Sequence, residues 1–181
     1  MLKISNRLNA LTHKRNCRVD NYLHTTSRRV VDWCLHHGIT TLIIGKNNGW
    51  KQSISIGKKN NQQFVNVPHA KLIEQIAYKA RLVGVEVIIT EESYTSIASF
   101  LDLDNIPTYG DKQVRKFSGK RVKRGLYKAK EGKLINADVN GAYNIARKVK
   151  SNAFDSYDLK ALPFMPSVLD PLRTRNFLQL V

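Results

Sequence analysis

Twice before Thr90 the chain passes from a helix-period stretch straight into a short, β-branched apolar run, and few folds accommodate that alternation. Val19, Tyr22, Leu23, Val30, Val31 and Cys34 recur with a period near 3.6, Asp20 can cap the start and Gly38 can take the left-handed stop. A helix is expected over 20–37. Thr40 to Ile44 is too short for a helix and rich in β-branched residues, so it reads as a buried strand. Pro68 suits the first turn of a second helix whose stripe runs Leu72, Ile73, Ile76, Ala77, Ala80 and Val83 up to Gly84, and Val85 to Ile89 reads as the next strand. Strands separated by helices need crossovers, which argues for α/β architecture with parallel pairing. Lys46 to Asn61 reads as a loop or lid with an edge hairpin around Gln52 to Ile56.

Beyond the second strand the pattern weakens. Glu91 to Lys133 has no sustained period and reads as a long loop or inserted arm, a kind of segment that is usually functional or disordered. Leu134 to Ala137 reads as the entry to a last helix, with Asp138 at its N-terminus and Val139, Ala142, Tyr143, Ala146 and Val149 as its apolar face. The expected organisation is a basic N-terminal segment (1–18), an α/β body (19–96 and 134–150), an inserted basic arm (97–133) and an irregular tail (151–181) carrying Pro163, Pro166 and Pro171.

Length and cysteine usage narrow the class. A chain of 181 residues supports one domain with a real core. No apolar run reaches the roughly 18 residues a membrane helix needs, and the basic N-terminus lacks the apolar core of a secretion signal, so an intracellular, nucleoid-associated protein is the expectation. Cys17 and Cys34 provide neither a disulfide framework nor a Cys-x-x-Cys pair, so structural zinc is not expected.

Charge points to the partner. The net charge of +16 attracts polyanions. Between Val85 and Asp111 lie six acids (Glu86, Glu91, Glu92, Asp102, Asp104, Asp111) and no Lys or Arg. From Lys112 to Lys133 the balance reverses, with Lys112, Arg115, Lys116, Lys120, Arg121, Lys123, Arg124, Lys128, Lys130 and Lys133 against Glu131 alone. Acids able to hold divalent metal, followed by bases able to hold phosphate backbone, are the layout of a metal-dependent nuclease. A basic run by itself is as often a solvated loop. Two-metal phosphodiester hydrolysis draws carboxylates from different elements, and open α/β sheets place such groups at the carboxyl ends of strands. Glu91 and Glu92 follow a strand and Asp138 opens a helix, though a strand-end Glu is commonly just solvated and a helix-start Asp is commonly just a cap.

Several words of sequence, in order, then carry a resemblance: Glu91 to Ser96 (Glu-Glu-Ser-Tyr-Thr-Ser), Phe117 to Tyr127 (Phe-Ser-Gly-Lys-Arg-Val-Lys-Arg-Gly-Leu-Tyr), and Asn136 to Ile145 (Asn-Ala-Asp-Val-Asn-Gly-Ala-Tyr-Asn-Ile), with Ile43 to Asn47 and Trp50 to Gln52 upstream. From about Arg15 to about Lys148 the chain resembles the C-terminal RuvC part of the transposon-encoded TnpB/OrfB family of RNA-guided DNA endonucleases. The resemblance implies a partial RNase H-like (RuvC) α/β fold lacking its leading strands, with an inserted basic arm in place of a zinc ribbon. It maps the family's last catalytic aspartate onto Asp138. The family's glutamate at the end of the earlier strand aligns with Gly45, and the variant placement, also that of Fanzor proteins, points to Glu92, with Glu91 next. The ribbon cysteines are replaced, so packing must hold the arm. The first catalytic Asp of the family, in a Gly-x-Asp-x-Gly word, matches nothing here.

The implied cofactor is Mg²⁺, held weakly by Asp138 and Glu92, without zinc. The implied partners are DNA and guide RNA, with a separate chain as one source of the missing strands. The expected function is a truncated RNA-guided endonuclease, weakly active or inactive alone; a non-enzymatic DNA- or RNA-binding module and a non-functional remnant are the alternatives.

Overall fold

A computed structural model describes residues 5–47, 68–111, 116–159 and 161–166. The chain divides into two compact units, residues 1–42, 56–87 and 169–181 in one and 43–55 and 88–168 in the other. The expected hairpin at 52–56, the word at Trp50 and the chain beyond Pro166 lie outside the described residues.

In the first unit, helix α1 spans Asn6–His36, not the expected 20–37. Ser5 caps it by accepting from the Leu8 N–H at 3.3 Å, and no Gly or Pro interrupts the run between Ser5 and Asp20. Asp20 is therefore mid-helix, where it pairs with Lys71 at 2.7 Å. Leu23, Ser27, Val31 and Cys34, spaced three or four apart, form the buried stripe. Helix α2 (His69–Leu82) buries Ile73, Gln75, Ile76 and Ala80. Val31, Cys34, Ala80 and Val85 make one apolar cluster, closed by Leu42 and Val87. At the polar end of the stripe Lys79 Nζ donates to Ser27 Oγ at 2.7 Å and to the His24 carbonyl at 2.8 Å. Val83, expected in the α2 stripe, is exposed, because the helix has ended and Gly84 turns the chain at φ +77°.

Strands β1 (Thr41–Gly45) and β2 (Glu86–Thr90) pair with each other. The Glu86 N–H donates to the Thr40 carbonyl at 2.9 Å and the Lys46 N–H to that of Thr90 at 2.8 Å, so both strands run the same way, as the crossover through α2 requires.

The second unit gives strands to part of Glu91–Lys133, the stretch read from the sequence as a long loop or inserted arm. Strands β3 (Lys120–Lys123) and β4 (Leu126–Lys128) form an antiparallel hairpin turned at Arg124-Gly125, and β5 (Leu134–Asn136) adds to it in the order β3-β4-β5. Leu134–Asn136 is thus a strand and not a helix entry; helix α3 spans Ala137–Val149. Strands of three or four residues, the first of them with Lys or Arg at three of its four positions, are too short to show an apolar alternation. Tyr127, Ile135 and Ala137 make the core, with Leu101, Val139, Tyr143 and Phe164 against it. The tail has no helix or strand over its described part, yet it packs. Phe154 lies 5.0 Å from the Phe100 ring and 5.3 Å from that of Tyr143, and the Phe164 carbonyl accepts from the Asn136 N–H at 2.9 Å.

Candidate active site

Glu92, at the carboxyl end of β2, and Asp138, in the first turn of α3, line one open cleft of about 360 Å³ within the second unit. Asp138 is not the cap of α3. Asn136 is, its Oδ1 accepting from the Asp138 N–H at 2.9 Å and the Val139 N–H at 3.2 Å. The Asp138 carboxylate is therefore exposed and released from capping, at the helix end whose dipole favours an anion. Glu92 is half-buried, its N–H donating to Asn47 Oδ1 at 3.0 Å and its carbonyl accepting from Thr95 Oγ1 at 2.8 Å. Burial, then the charge of Glu91, raises the Glu92 carboxyl above its ordinary range. A carboxylate raised that way gains from a nearby cation. Tyr94, two residues on, sits at φ +66°, a conformation costing a non-glycine residue on the order of 1 kcal/mol.

Glu91 has a different environment. It pairs with the Lys148 ammonium at 2.5 Å and accepts from the Ser93 N–H at 2.7 Å. Burial alone would raise its carboxyl, but the bonds from Lys148 and Ser93 outweigh that and hold it low. It lines a second cleft, with Thr90, Arg147 and Lys148, instead of the one shared by Glu92 and Asp138.

Gly45 ends β1 directly behind Glu92. A Cβ there would stand 2.6 Å from Glu92 Oε2, 2.7 Å from Ile145 Cδ1 and 3.0 Å from Glu92 Cβ. Space, not backbone freedom, demands glycine here, since the residue lies in a strand. The space at the end of β1 is thus occupied by the side chain of Glu92, the glutamate that follows β2.

Behind the cleft, polar side chains organise the turns of 95–104. Asn140 and Asn144 are fully buried on α3. Asn140 Oδ1 accepts from the Phe100 N–H at 3.0 Å, its Nδ2 donates to the Ala98 carbonyl at 2.8 Å, and Asn144 Nδ2 donates to the Thr95 and Ala98 carbonyls at 2.9 Å. Asp104, 8% exposed, accepts from the Ser99 N–H at 2.7 Å, the Ser118 N–H at 3.0 Å and the Ser118 hydroxyl at 2.6 Å, fastening two chain-distant turns. Asp102 accepts from the Ser99 hydroxyl at 2.6 Å and the Lys130 N–H at 2.9 Å. Tyr127 donates its hydroxyl to the Ile97 carbonyl at 2.9 Å; burial, with Asp104 and Asp102 nearby, pushes the phenol up to about 12. Hydrogen bonds thus close this knuckle. Extended dialysis of untagged protein against a chelator should leave its melting transition in place; stoichiometric zinc surviving that dialysis would refute this account.

The sequence reading missed Asn140, Asn144 and Asp104 as anchors. The apolar face expected on α3 included Ala142, which is exposed at the cleft, whereas the most buried positions are Ala137, Asn140, Gly141 and Asn144. Asparagines at i and i+4 were the available signal. Lys116, Lys120, Arg121, Lys123, Arg124, Lys128 and Lys130 are all exposed, and no carboxylate side chain among the described residues pairs with them. Lys112 and Arg115 lie outside the described residues. Lys120 sits directly across from Lys128, a like-charge pair that costs stability unless an anion bridges it.

Among the described residues no three His, Cys, Asp or Glu side chains gather as a metal-ion cluster, and no helix is long and apolar enough to cross a membrane. Among curated proteins none matches this chain significantly. A solved Cas12f1, from the cryo-EM structure of the Cas12f1-sgRNA-target DNA complex, shares its fold with a TM-score of 0.54 at 18% identity, over 77% of this chain and 36% of the other, so this chain spans about a third of that protein. Residues 69–145, which include β2, Glu92, the knuckle, the basic hairpin and Asp138, match the family described as the Cas12f1-like TNB domain.

Proposed function

We propose that this chain is the C-terminal, RuvC-like portion of a TnpB/OrfB-type RNA-guided DNA endonuclease, catalytically incomplete alone. The observation that carries the reading is the convergence of Glu92 and Asp138 on one cleft, with Gly45 leaving room for Glu92. Glu92, not Glu91, is the surviving glutamate ligand, because Glu91 is committed to Lys148. The pair fits one Mg²⁺ held weakly, an ion that would supply charge stabilisation to a phosphodiester. A two-ion clamp needs a third carboxylate, which the described residues do not bring to the cleft, so no cleavage step is drawn from the described residues alone. The basic hairpin from Lys120 to Lys130 holds nucleic-acid backbone. The solved Cas12f1 assembles with sgRNA and target DNA, which supports RNA and DNA as partners here.

The test is reconstitution. Leading RuvC strands bearing their Asp, supplied by fusion or as a separate chain, should give Mg²⁺- or Mn²⁺-dependent nicking of supercoiled plasmid. Asp138→Ala should return that nicking to background and Glu92→Gln should do nearly the same, whereas Glu91→Gln should retain most of it. Nicking that survives Asp138→Ala would refute the assignment.

A further inference from the structure

The first unit carries a basic surface that the nuclease reading does not use. From Asn6 to Arg18 every residue of α1 is exposed, and burial against α2 begins only beyond it, with Leu23 as the first fully buried side chain. This half-helix has no tertiary cover within the described residues. A segment of that length is marginal as a helix in water unless it propagates from a packed end. Its residues include Arg7, Lys14, Arg15 and Arg18 and no acid. At roughly 100° per residue, Arg7, Lys14 and Arg18 fall within about 40° of one line. That line lies about 180° from the stripe of Leu23, Ser27, Val31 and Cys34 that packs on α2. No carboxylate among the described residues pairs with Arg7, Lys14 or Arg18.

We propose that the row Arg7-Lys14-Arg18 on the free half of α1 is a docking surface for the sugar–phosphate backbone of a nucleic-acid duplex. The row spans about 16 Å at 1.5 Å per residue, a rigid array suited to the regular phosphate spacing of a duplex. Single strands are gripped chiefly by stacking on aromatic side chains, and residues 6–18 contain no Phe, Tyr or Trp. A membrane surface would call for a broad apolar face with aromatic anchors, whereas Leu8 and Leu11 are the only large apolar side chains of this segment. This inference rests on the nucleic-acid-binding reading above but assigns it a second surface.

The test compares the whole chain with Arg7→Gln/Lys14→Gln/Arg18→Gln by fluorescence anisotropy, using a random-sequence duplex, a single strand of equal length and vesicles rich in phosphatidylserine. Glutamine keeps helix propensity, and circular dichroism checks that helicity is unchanged. The duplex plot of log affinity against log salt should become shallower by about 2.7, three phosphates at roughly 0.9 each, with a much smaller change on the single strand. An unchanged duplex slope, an equal loss on the single strand, or a loss confined to the vesicles would overturn the proposal. Ala substitution of Lys120, Arg121, Lys123 and Arg124 separates the two surfaces. If that variant flattens the duplex slope and the α1 variant does not, the inference fails and the hairpin reading stands; if neither does, both fail.

Discussion

Asn140→Ala should cost the fold about 2–4 kcal/mol, read as a lower urea midpoint with an unchanged slope. Asn140 is fully buried, and truncation leaves the Phe100 N–H without its acceptor inside the protein. An orphaned buried donor costs roughly 1–3 kcal/mol, and the lost volume adds a cavity term. The Ala98 carbonyl keeps one partner, Asn144, which bounds the damage. Asn140→Asp should be no better, since it keeps the acceptor but removes the donor and buries a charge. Ala142→Ser, two residues along on the exposed cleft side, is the control and should move the midpoint by less than about 0.5 kcal/mol. A cost for Asn140→Ala as small as the control's would mean that α3 does not hold the 95–104 turns.

A comparable loss, about 1–3 kcal/mol from overpacking, is expected for Gly45→Ala, and it should be relieved by shortening Glu92. The added Cβ meets the stem of Glu92 as well as its tip, and it also stands 2.7 Å from Ile145 Cδ1. Glu92→Gly alone should be mild, since that residue's raised carboxyl gains little from its burial. The double-mutant cycle should therefore give a coupling of about 1–3 kcal/mol. The exchange variant, Gly45→Glu with Glu92→Gly, is the sharper form: it should fold, and place a carboxylate at the end of β1 instead of β2. Additive costs in that cycle would refute steric exclusion between the two positions.

The parts of the fold visible in the sequence are those that bury apolar area with a clear period. Both strands of the parallel pair were placed within a residue of their observed bounds, and α2 nearly so, because β-branched runs and an Ile-Ala stripe leave little alternative. The start of α1 was misplaced because half of it buries nothing, so no periodicity marks it; Ser5 was the only local cue. The hairpin was missed for a related reason. Lys and Arg fill three of the four positions of β3, and Tyr127 alone is buried within the two strands. At the candidate site, Glu92 and Asp138 were legible as residues at element ends, but the different surroundings of Glu91 were not, since they depend on Lys148 reaching back from the far end of α3. The anchoring role of Asn140 and Asn144 needed the partners they meet, the carbonyls and N–H of 95–100, which no spacing rule supplies.

The knuckle closed by Asp104, Ser99 and Ser118 bears on chemistry of another kind. A thiolate-held metal is a target for peroxide, because the thiolate is both the ligand and the nucleophile that oxidises. The two thiols of this chain, exposed Cys17 and buried Cys34, both lie on α1, outside the unit that contains the knuckle. Carboxylate and hydroxyl groups have no oxidation ladder to climb, so the contacts that Asp104 makes with Ser99 and Ser118 are not ones that thiol oxidation removes.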